Sequence, residues 1–212
     1  MKKKQMMVML SNHSSAQMHF WAGKYPGKVG WLVGPSSGRK KPRRWLPWAL
    51  DNDAYTAWDK GHAWNEDTYF QFLEWAAAQE QQPLWAAVPD VVANRDKTHR
   101  NWEKYASKVK QYGWPLAFVA QDGMEPGDVP EDASVVFIGG TYRWKWRNVP
   151  EFSAKLSRVH VGRVNTLFRL RRCEELGVES VDGTGWFRRP EAEFIELEDF
   201  LAGIPDPQMT WL

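Results

Sequence analysis

The sequence predicts an α/β protein that folds as one compact (β/α)8 barrel over residues 1–212. Eight short apolar segments occur along the chain, helical patterns separate them, and several of the eight are continuously apolar rather than alternating. Continuous apolar strands are typical of a parallel sheet buried on both faces, and alternating strands and helices form such a sheet. A doubly wound open sheet is the alternative, because the barrel typically needs about 250 residues and this chain has 212.

The predicted strands begin near the N-terminus and recur to residue 181. They are Met7–Ser11, Val29–Val33, Trp45–Leu50, Leu84–Val88, Leu116–Ala120, Val135–Ile138, Val159–Val161 and Ser180–Val181. A flexible basic loop, residues 34–44, separates the second strand from the third.

Helix start and stop residues delimit four of the intervening segments. The first begins at Asn65, a good capping residue, the second and third end at Gly113 and Gly177, and the fourth has Pro190 in its first turn. The predicted helices are Asn65–Gln82, Asn94–Tyr112, Thr166–Leu176 and Arg189–Leu201.

The composition is that of a globular protein, with 43% hydrophobic and 25% charged residues and a net charge of +2. A single cysteine, Cys173, excludes a disulfide framework and any multi-thiolate metal site, and it suits a reducing compartment. No apolar run approaches the roughly 20 residues that span a bilayer. The apolar part after Lys2–Lys4 is short, and we interpret it as the first strand rather than a signal peptide.

Six of the apolar segments end in small polar or acidic clusters. Asp, Asn and Gly are also common residues at strand ends and turns, but six clusters in the same register favour a shared pocket. In a barrel, the C-terminal ends of all the strands open onto one face, which is where active sites lie. The clusters are Leu50–Asp53, Val88–Asp90, Ala120–Gly123, Ile138–Thr141, Val161–Asn165 and Val181–Gly185.

The order of these clusters resembles the tRNA-guanine transglycosylase superfamily, especially its short phage and bacterial DNA-modifying relatives that insert 7-deazaguanines. The resemblance covers most of the chain, from about Trp45 to Trp186. The matching segments are Ala49–Tyr55, Val88–Asp90, Val119–Gly123, Phe137–Thr141, His160–Asn165 and Gly177–Thr184.

The resemblance implies a (β/α)8 barrel that exchanges a purine base in nucleic acid. Asp182 would be the catalytic nucleophile and Asp51 its acid/base partner. Gly139 would let the base approach the backbone closely. The residues that the resemblance implies for base binding are Asp90, Gln121, Gly139 and Gly140.

The chain departs from the family in two respects. Members that act on tRNA carry a zinc site near the C-terminus that is made of Cys and His, and Cys173 alone cannot build it, so we expect no metal and no zinc subdomain. Asp53 stands where the family usually has glycine, which bears on the geometry around Asp51. No other cofactor is expected.

The residue types suit base exchange independently of the family. A carboxylate can attack C1′ as the purine leaves and hold the sugar covalently, and a second carboxyl group can transfer the proton. Asp90 can accept from N1–H and N2–H₂ of guanine, while Gln121 and the Gly140 N–H can donate to O6.

Basic residues interleaved with aromatic ones indicate a nucleic-acid surface, since phosphate contact and base stacking need these two types. Solvated surface positions are the alternative interpretation. The residues assigned to nucleic-acid binding are Arg39, Lys40, Lys41, Arg43, Arg44, Arg143, Lys145, Arg163, Arg188 and Arg189. Arg169, by contrast, is interpreted as ordinary helix surface.

The expected partners are DNA, with RNA possible, and a free 7-deazaguanine base resembling preQ0; the oligomeric state stays open. The alternatives are a tRNA-guanine transglycosylase-like enzyme on RNA, a glycosylase that cleaves the base without replacing it, and a nucleic-acid-binding barrel without catalysis. The expected location is the cytoplasm, that of the host if a phage encodes the protein.

Overall fold

A computed structural model describes residues 5–12, 15–187 and 192–204. Eight parallel strands form a closed barrel in sequence order, and the first strand pairs with both the second and the eighth. The predicted single-domain (β/α)8 barrel is confirmed, and the open-sheet alternative is wrong. The strands are β1 Met7–Ser11, β2 Val29–Val33, β3 Trp48–Leu50, β4 Ala86–Ala87, β5 Leu116–Ala120, β6 Val135–Ile138, β7 Val159–Val161 and β8 Ser180–Gly183.

Helices surround the barrel, together with short 3₁₀ turns at Pro35–Ser37, Pro126–Asp128 and Gly185–Phe187. Among the described residues, none of the helices is both long and apolar enough to cross a membrane. The α-helices are α1 Ala16–Lys24, α2 Ala54–Asp59, α3 Glu66–Ala77, α4 Arg95–Lys110, α5 Tyr142–Lys155, α6 Leu167–Glu175 and α7 Ala192–Ala202.

The predicted helices are found where capping residues indicated them. The side chains of Asn65, Asn94 and Thr166 each accept a backbone N–H in the first turn of α3, α4 and α6. The fourth helix is observed from Ala192, and its expected start at Arg189 lies outside the described residues.

Three helices were not predicted, and local sequence signals are weak in two of them. Pro150 lies inside α5, where a proline usually breaks a helix, but Val149 and Phe152 beside it are buried against the barrel. The residue before helix α2 is Asp53, its N-cap, whose backbone is left-handed with φ of 59°. Tertiary packing therefore overrides local preference in both segments.

Strand boundaries differ from prediction at three places. The third strand begins at Trp48 and not at Trp45, whose side chain is 61% exposed, and the fourth contains only two residues because Leu84 is also exposed. The eighth continues to Gly183, which places Asp182 inside the strand.

Two apolar layers explain why the strands are continuously apolar. Residues such as Val8 and Leu10 pack outward under the helices, whereas Met9 between them points into the barrel. Inside the barrel, Trp85 and Phe137 make an edge-to-face contact with 5.9 Å between ring centroids. The interior is thus a packed core that supports the cavity at the C-terminal ends of the strands.

We predict that Phe152→Ala lowers the free energy of unfolding by about 3–5 kcal/mol, because Phe152 is completely buried on the inner face of α5 and its loss leaves a cavity. Phe168→Ala is the matched control: this ring is 69% exposed, and its loss should change stability by no more than about 0.5 kcal/mol. Chemical denaturation of both variants measures the difference. Equal losses would contradict the assignment of the two rings to core and surface.

Candidate active site

A cavity of about 540 Å³ opens at the C-terminal ends of the strands. Its lining contains all six residues that the sequence assigned to catalysis and base binding, and also Arg163 from the nucleic-acid set. The six are Asp51, Asp90, Gln121, Gly139, Gly140 and Asp182. Residues spread over more than 130 positions of the sequence are therefore neighbours in the structure.

Asp182 is buried in β8, and donors from three directions surround its carboxylate. The Ser11 hydroxyl donates to Oδ2 at 2.6 Å, and the Arg163 backbone N–H donates to Oδ1 at 3.2 Å. His160 Nε2 lies 3.1 Å from the same Oδ1. Burial acts to raise the pKa of Asp182, but the hydrogen bond and charge of His160 and the bond from Ser11 outweigh it, so the pKa is lowered. Asp182 is thus an ionised carboxylate at neutral pH.

His160 is a positioning residue that sequence reasoning missed, because no metal-ligand or triad spacing surrounds it. Its ring is fully buried inside the barrel against Phe137 and Trp85, with centroids 4.5 and 5.0 Å away. Nδ1 lies 2.8 Å from the Ser180 hydroxyl. Nε2 contacts Asp182 and Nδ1 contacts the Ser180 hydroxyl, so both ring nitrogens are engaged and the ring is held against the carboxylate.

Asp51 follows β3 and has the opposite electrostatic environment. Burial raises its pKa well above the ordinary value, and the negative charges of Asp53, Asp182 and Asp90 raise it further. The Asn52 backbone N–H donates to Oδ1 at 2.7 Å and offsets only part of this effect. Asp51 therefore holds its proton to a higher pH than an exposed aspartate does.

The pKa values of the two catalytic candidates shift in opposite directions, although both carboxyl groups line the same cavity. Burial acts to raise both pKa values, but three donors converge on Asp182 and outweigh it, whereas the charges of Asp53, Asp182 and Asp90 raise the pKa of Asp51 further. A pair of carboxyl groups whose pKa values are pushed apart divides naturally into an ionised nucleophile and a protonated acid.

Asp90 is held by two side-chain amides. Asn52 Nδ2 donates to Oδ1 at 2.9 Å, and Gln121 Nε2 donates to Oδ2 at 2.7 Å. Burial raises the pKa of Asp90 to about 6, although the bond from Asn52 opposes the rise. Asn52 also donates to the Val88 carbonyl at 3.0 Å, so it links the ends of β3 and β4. Sequence reasoning missed Asn52 as a positioning residue, although it lies directly beside Asp51.

Gln121 bonds differently from what the sequence predicts. Its Oε1 accepts the backbone N–H groups of Ala93 at 2.8 Å and Gly140 at 3.1 Å. The expectation that the Gly140 N–H donates to a purine O6 is wrong for this arrangement, because Gln121 already accepts it. The second Nε2 hydrogen of Gln121 and the remaining lone pairs of Asp90 are left for a ligand.

The two glycines serve the packing of the site. A Cβ on Gly139 would lie 2.7 Å from Gln121 Nε2, so its absence makes room for that amide and not, as expected, for a base. Gly140 has φ of 64°, and a Cβ there would lie 2.5 Å from the Trp144 ring. Both positions therefore require glycine.

Arg163 lies across the cavity. Its guanidinium carbon is 3.9 Å from the ring centroid of Tyr55, and Nη2 donates to the Gly140 carbonyl oxygen. Its backbone is left-handed, with φ of 58°, and its N–H donates to Asp182. Arg163 thus acts at the cavity, where its positive charge faces Asp90. Its aromatic partner Tyr55 was not assigned a role from the sequence.

Asp53 has a left-handed backbone conformation with φ of 59°, a region that glycine adopts freely and that Asp tolerates. The carboxylate accepts the Ser36 N–H at 2.5 Å and the Thr56 hydroxyl at 3.3 Å. Asp53 therefore anchors the turn after β2 to α2, and it acts on Asp51 through its charge.

The basic residues predicted for nucleic-acid binding do not form one surface. The assignment of Lys145 is wrong: helix α5 turns it inward, where it is 1% exposed and donates to the Gly162 carbonyl oxygen. Burial lowers the pKa of Lys145 to about 7, and the charge of Arg163 acts in the same direction. Arg44 forms an ion pair with Glu80 in the segment that enters β4, so it lies at the barrel end opposite the cavity.

The other members of that set are exposed or lie outside the described residues. Exposed residues are Arg39, Lys40, Lys41, Arg43 and Arg143. Arg43 precedes β3 and accepts the Leu46 N–H, so it also lies toward the N-terminal end of the strands. Arg188 and Arg189 lie outside the described residues.

A surface that we call the rim patch borders the cavity where α5 and α6 begin; it consists of Tyr142, Arg143, Trp146, Phe168 and Arg169. The Arg169 guanidinium lies over the Trp146 ring, 4.2 Å from its centroid, and donates to the Tyr142 hydroxyl at 3.2 Å. Arg169 was expected to be ordinary helix surface; it lies on the surface of α6 and contacts α5 through Tyr142 and Trp146.

Within the described ranges, no group of three or more His, Cys, Asp or Glu side chains is arranged to hold a metal ion.

Comparison with known proteins yields similarity at the level of fold. No family model and no curated protein matches the sequence. Among solved structures, the YdjI aldolase from Escherichia coli K12 is similar with a TM-score of 0.52 and 11% identity, over 85% of this chain and 75% of that one. A putative fructose-1,6-biphosphate aldolase from Coccidioides immitis is similar with a TM-score of 0.58 and 11% identity, over 97% and 82%. The shared feature is the barrel.

We predict opposite effects of Asp51→Asn and Asp182→Asn on the pH dependence of stability. The folded state holds the Asp51 proton more tightly than the unfolded state does, so the free energy of unfolding falls as pH rises above the ordinary pKa of 3.8. Asp51→Asn should therefore be more stable than the wild type at pH 8, and this gain should shrink toward pH 4. Each kcal/mol corresponds to roughly 2–4 °C in Tm for a chain of this size.

Asp182→Asn should have the opposite effect on the pH dependence of stability. The lowered pKa of Asp182 means that its carboxylate stabilises the folded state above pH 3.8 and loses this effect as pH falls through the folded value. The variant should be less stable than the wild type at pH 8 and approach it in acid. Thermal unfolding between pH 3 and 8 measures both differences, and a stability loss for both variants at pH 8 would contradict the assigned protonation states.

Proposed function

We propose that the protein is a base-exchange glycosyltransferase that replaces guanine in DNA with a 7-deazaguanine base resembling preQ0. The observation that carries this proposal is the pair of carboxyl groups that line one cavity, Asp182 with a lowered pKa and Asp51 with a raised one. Substitution at a glycosidic carbon needs this division between a nucleophile and an acid.

In the first step, an Asp182 carboxylate oxygen attacks C1′ of the deoxyribose, and the bond between C1′ and N9 of guanine breaks. The electron pair stays on the departing guanine, which takes the proton from Asp51 and leaves as the neutral base. The sugar remains as an ester on Asp182. Ionisation of Asp182 supplies the nucleophile, and protonation of Asp51 supplies the acid.

In the second step, the ring N–H of the incoming 7-deazaguanine loses its proton to Asp51, which is now the base. The ring nitrogen attacks C1′ and displaces the Asp182 carboxylate. Donors from Ser11, His160 and the Arg163 N–H stabilise the negative charge that returns to Asp182. Asp51 ends protonated and Asp182 ionised, so the cycle closes without another reactant.

Base recognition falls to Asp90 and Gln121 at the cavity wall. Asp90 has a pKa of about 6 and is mainly ionised at neutral pH, so its oxygens can accept from N1–H and N2–H₂ of a guanine-like base. The free Nε2 hydrogen of Gln121 can donate to O6. The cavity volume of about 540 Å³ falls in the range of small-molecule sites.

DNA is the proposed polymer, and RNA is the alternative on which the same chemistry would work. Arg143, which is exposed, and Arg169, which is half-buried, supply positive charge beside the cavity toward a phosphate backbone. A glycosylase that only removes guanine would share the first step and use water in the second. The experiment must therefore follow both the polymer and the entering base.

We predict that Asp182→Asn abolishes guanine exchange, because the nearly isosteric amide cannot form the ester at C1′. The loss should exceed about 4 kcal/mol in barrier height, or three orders of magnitude in rate. Asp51→Asn should retain part of the covalent adduct but block proton transfer. A denaturing gel that detects the protein–nucleic acid band reports the adduct, with the exposed Asp67→Asn as control.

The same assay distinguishes the alternatives. Radiolabelled guanine in single-stranded DNA, duplex DNA or a transfer RNA transcript is followed with and without 7-cyano-7-deazaguanine. Release of guanine that requires no added base would indicate a glycosylase. An undiminished band in Asp182→Asn together with a lost band in Asp51→Asn would reverse the two roles, and neither band nor release on any polymer would refute the proposed function.

A further inference from the structure

The rim patch continues directly from the mouth of the cavity. Gly140 and Asn165 line the cavity, and Tyr142 and Phe168 follow them by two and three residues at the beginnings of α5 and α6. A strand of nucleic acid whose base enters the cavity must cross its rim. The rim patch lies on one such path.

Two large rings in the patch are exposed around a single guanidinium. Tyr142 is 64% exposed and Phe168 is 69% exposed. The Arg169 guanidinium carbon is 5.7 Å from the centroid of the first ring and 5.4 Å from that of the second. A single exposed aromatic side chain is ordinary on a protein surface, but two that flank one arginine form a continuous surface of rings and positive charge.

The charge of the patch favours an anionic partner. Arg143 is exposed beside Arg169's partner Tyr142, and both arginines are positive at any physiological pH. The carboxyl group of Asp122 lies next to the patch, where it accepts from the backbone N–H and the hydroxyl of Thr141. The two arginines outnumber this one carboxyl group.

We propose that the rim patch binds the single-stranded nucleotides next to the exchanged guanine, with bases stacked on Phe168 and Tyr142 and phosphates held by Arg169 and Arg143. This inference rests on the proposed function for the identity of its ligand. Every base has a flat π-face and every linkage a negative charge, so single-stranded nucleic acid complements both features of the patch.

The test measures binding of a fluorescein-labelled single-stranded DNA 12-mer with one central guanine by fluorescence anisotropy. Phe168→Ala should weaken binding about tenfold or more, as expected for loss of one stacked base. Arg169→Met should also weaken it and lower the slope of log K against log salt by about 0.7, the value for one phosphate on a single strand. The matched controls are Phe20→Ala and Lys24→Met, because these two side chains on α1 are also an exposed ring and a cation 5.6 Å apart. Both control variants should bind the DNA as tightly as the wild type does.

The outcomes separate this inference from the proposed function. Weaker binding in the patch variants supports the patch even if the wild type exchanges no guanine, a result that would refute only the function. Unchanged affinity in Phe168→Ala and Arg169→Met overturns the patch even if exchange occurs. A wild-type dimer that becomes monomeric in Phe168→Ala without any change in DNA affinity would also overturn it, since the patch would then be a self-association surface.

A different observation carries a second inference, which concerns the buried Lys145. Its Nζ donates to the carbonyl oxygen of Gly162, and the N–H of the same peptide bond, on Arg163, donates to Asp182 Oδ1. Hydrogen bonds at both ends of one peptide group polarise it and strengthen each other. We infer that Lys145 is a positioning residue that holds the Gly162–Arg163 peptide with its N–H directed at Asp182.

Several groups affect the pKa values of Asp182 and Lys145 and must be considered in any titration. Ser11 and His160 contact Asp182, and the charge of Lys145 also lowers its pKa. Lys145 itself is affected by Arg163, Asp182, Cys173 and Arg169. Lys145→Met removes the donor and the charge but keeps most of the volume of the side chain, so it separates the polar role from packing.

The test is an NMR titration of the Asp182 carboxyl carbon in protein labelled at aspartate, which requires no catalytic activity. Lys145→Met should raise the pKa of Asp182, because its carboxylate loses a polarised donor and a nearby positive charge. Val149→Ala is the matched control, since it removes buried volume one turn later on α5. Equal Asp182 pKa values in the two variants would show that Lys145 is merely structural and would overturn the inference.

Discussion

The carboxylate of Asp182 ties together the strands at which the barrel closes. It lies in β8 and accepts from Ser11 in β1, while His160 in β7 contacts its other oxygen. Both neighbouring strands also pair with β8 along the backbone. Because these donors come from parts of the chain up to 171 residues apart, the ionised form of Asp182 depends on correct closure of the barrel. Fold and chemistry are therefore coupled at this one group.

The cavity also concentrates negative charge, which has a cost in stability. Asp51 is surrounded by three other carboxyl groups, and its raised pKa is the sign of their repulsion and of burial. A carboxyl group whose pKa is raised by negative neighbours is poorly suited to stabilising the fold, but it is well suited to donating a proton. Strain of this kind is expected where function and stability compete.

The amides around the cavity convert separate strand ends into one rigid wall. Asn52 and Gln121 both donate to Asp90, and Gln121 accepts from the backbone of Gly140. A carboxylate held at both oxygens cannot rotate, which is the requirement for reading a planar ligand. Solved aldolases share the barrel with this chain, but a barrel supports many chemistries, and what separates them is the set of side chains at the strand ends.

Much of this arrangement could be predicted from local patterns. Continuous apolar runs and caps such as Asn65 and Asn94 indicate the strands and helices, because burial on two faces and unsatisfied N–H groups constrain each segment separately. The position of Asp51 and Asp182 directly after or within such runs was sufficient to place them on one face, since all strands of a parallel barrel point the same way.

Other features depended on contacts between distant segments and had no local signal. The helical phase of α5 turns Lys145 inward to Gly162, although the neighbouring aromatic and basic residues suggested an exposed surface. Likewise, the Gly140 N–H donates to Gln121 because the loops after β5 and β6 meet. The raised pKa of Asp51 also depends on Asp90 and Asp182, which other strands bring into the cavity. Each result depends on distances between segments far apart in the chain, which residue order alone does not specify.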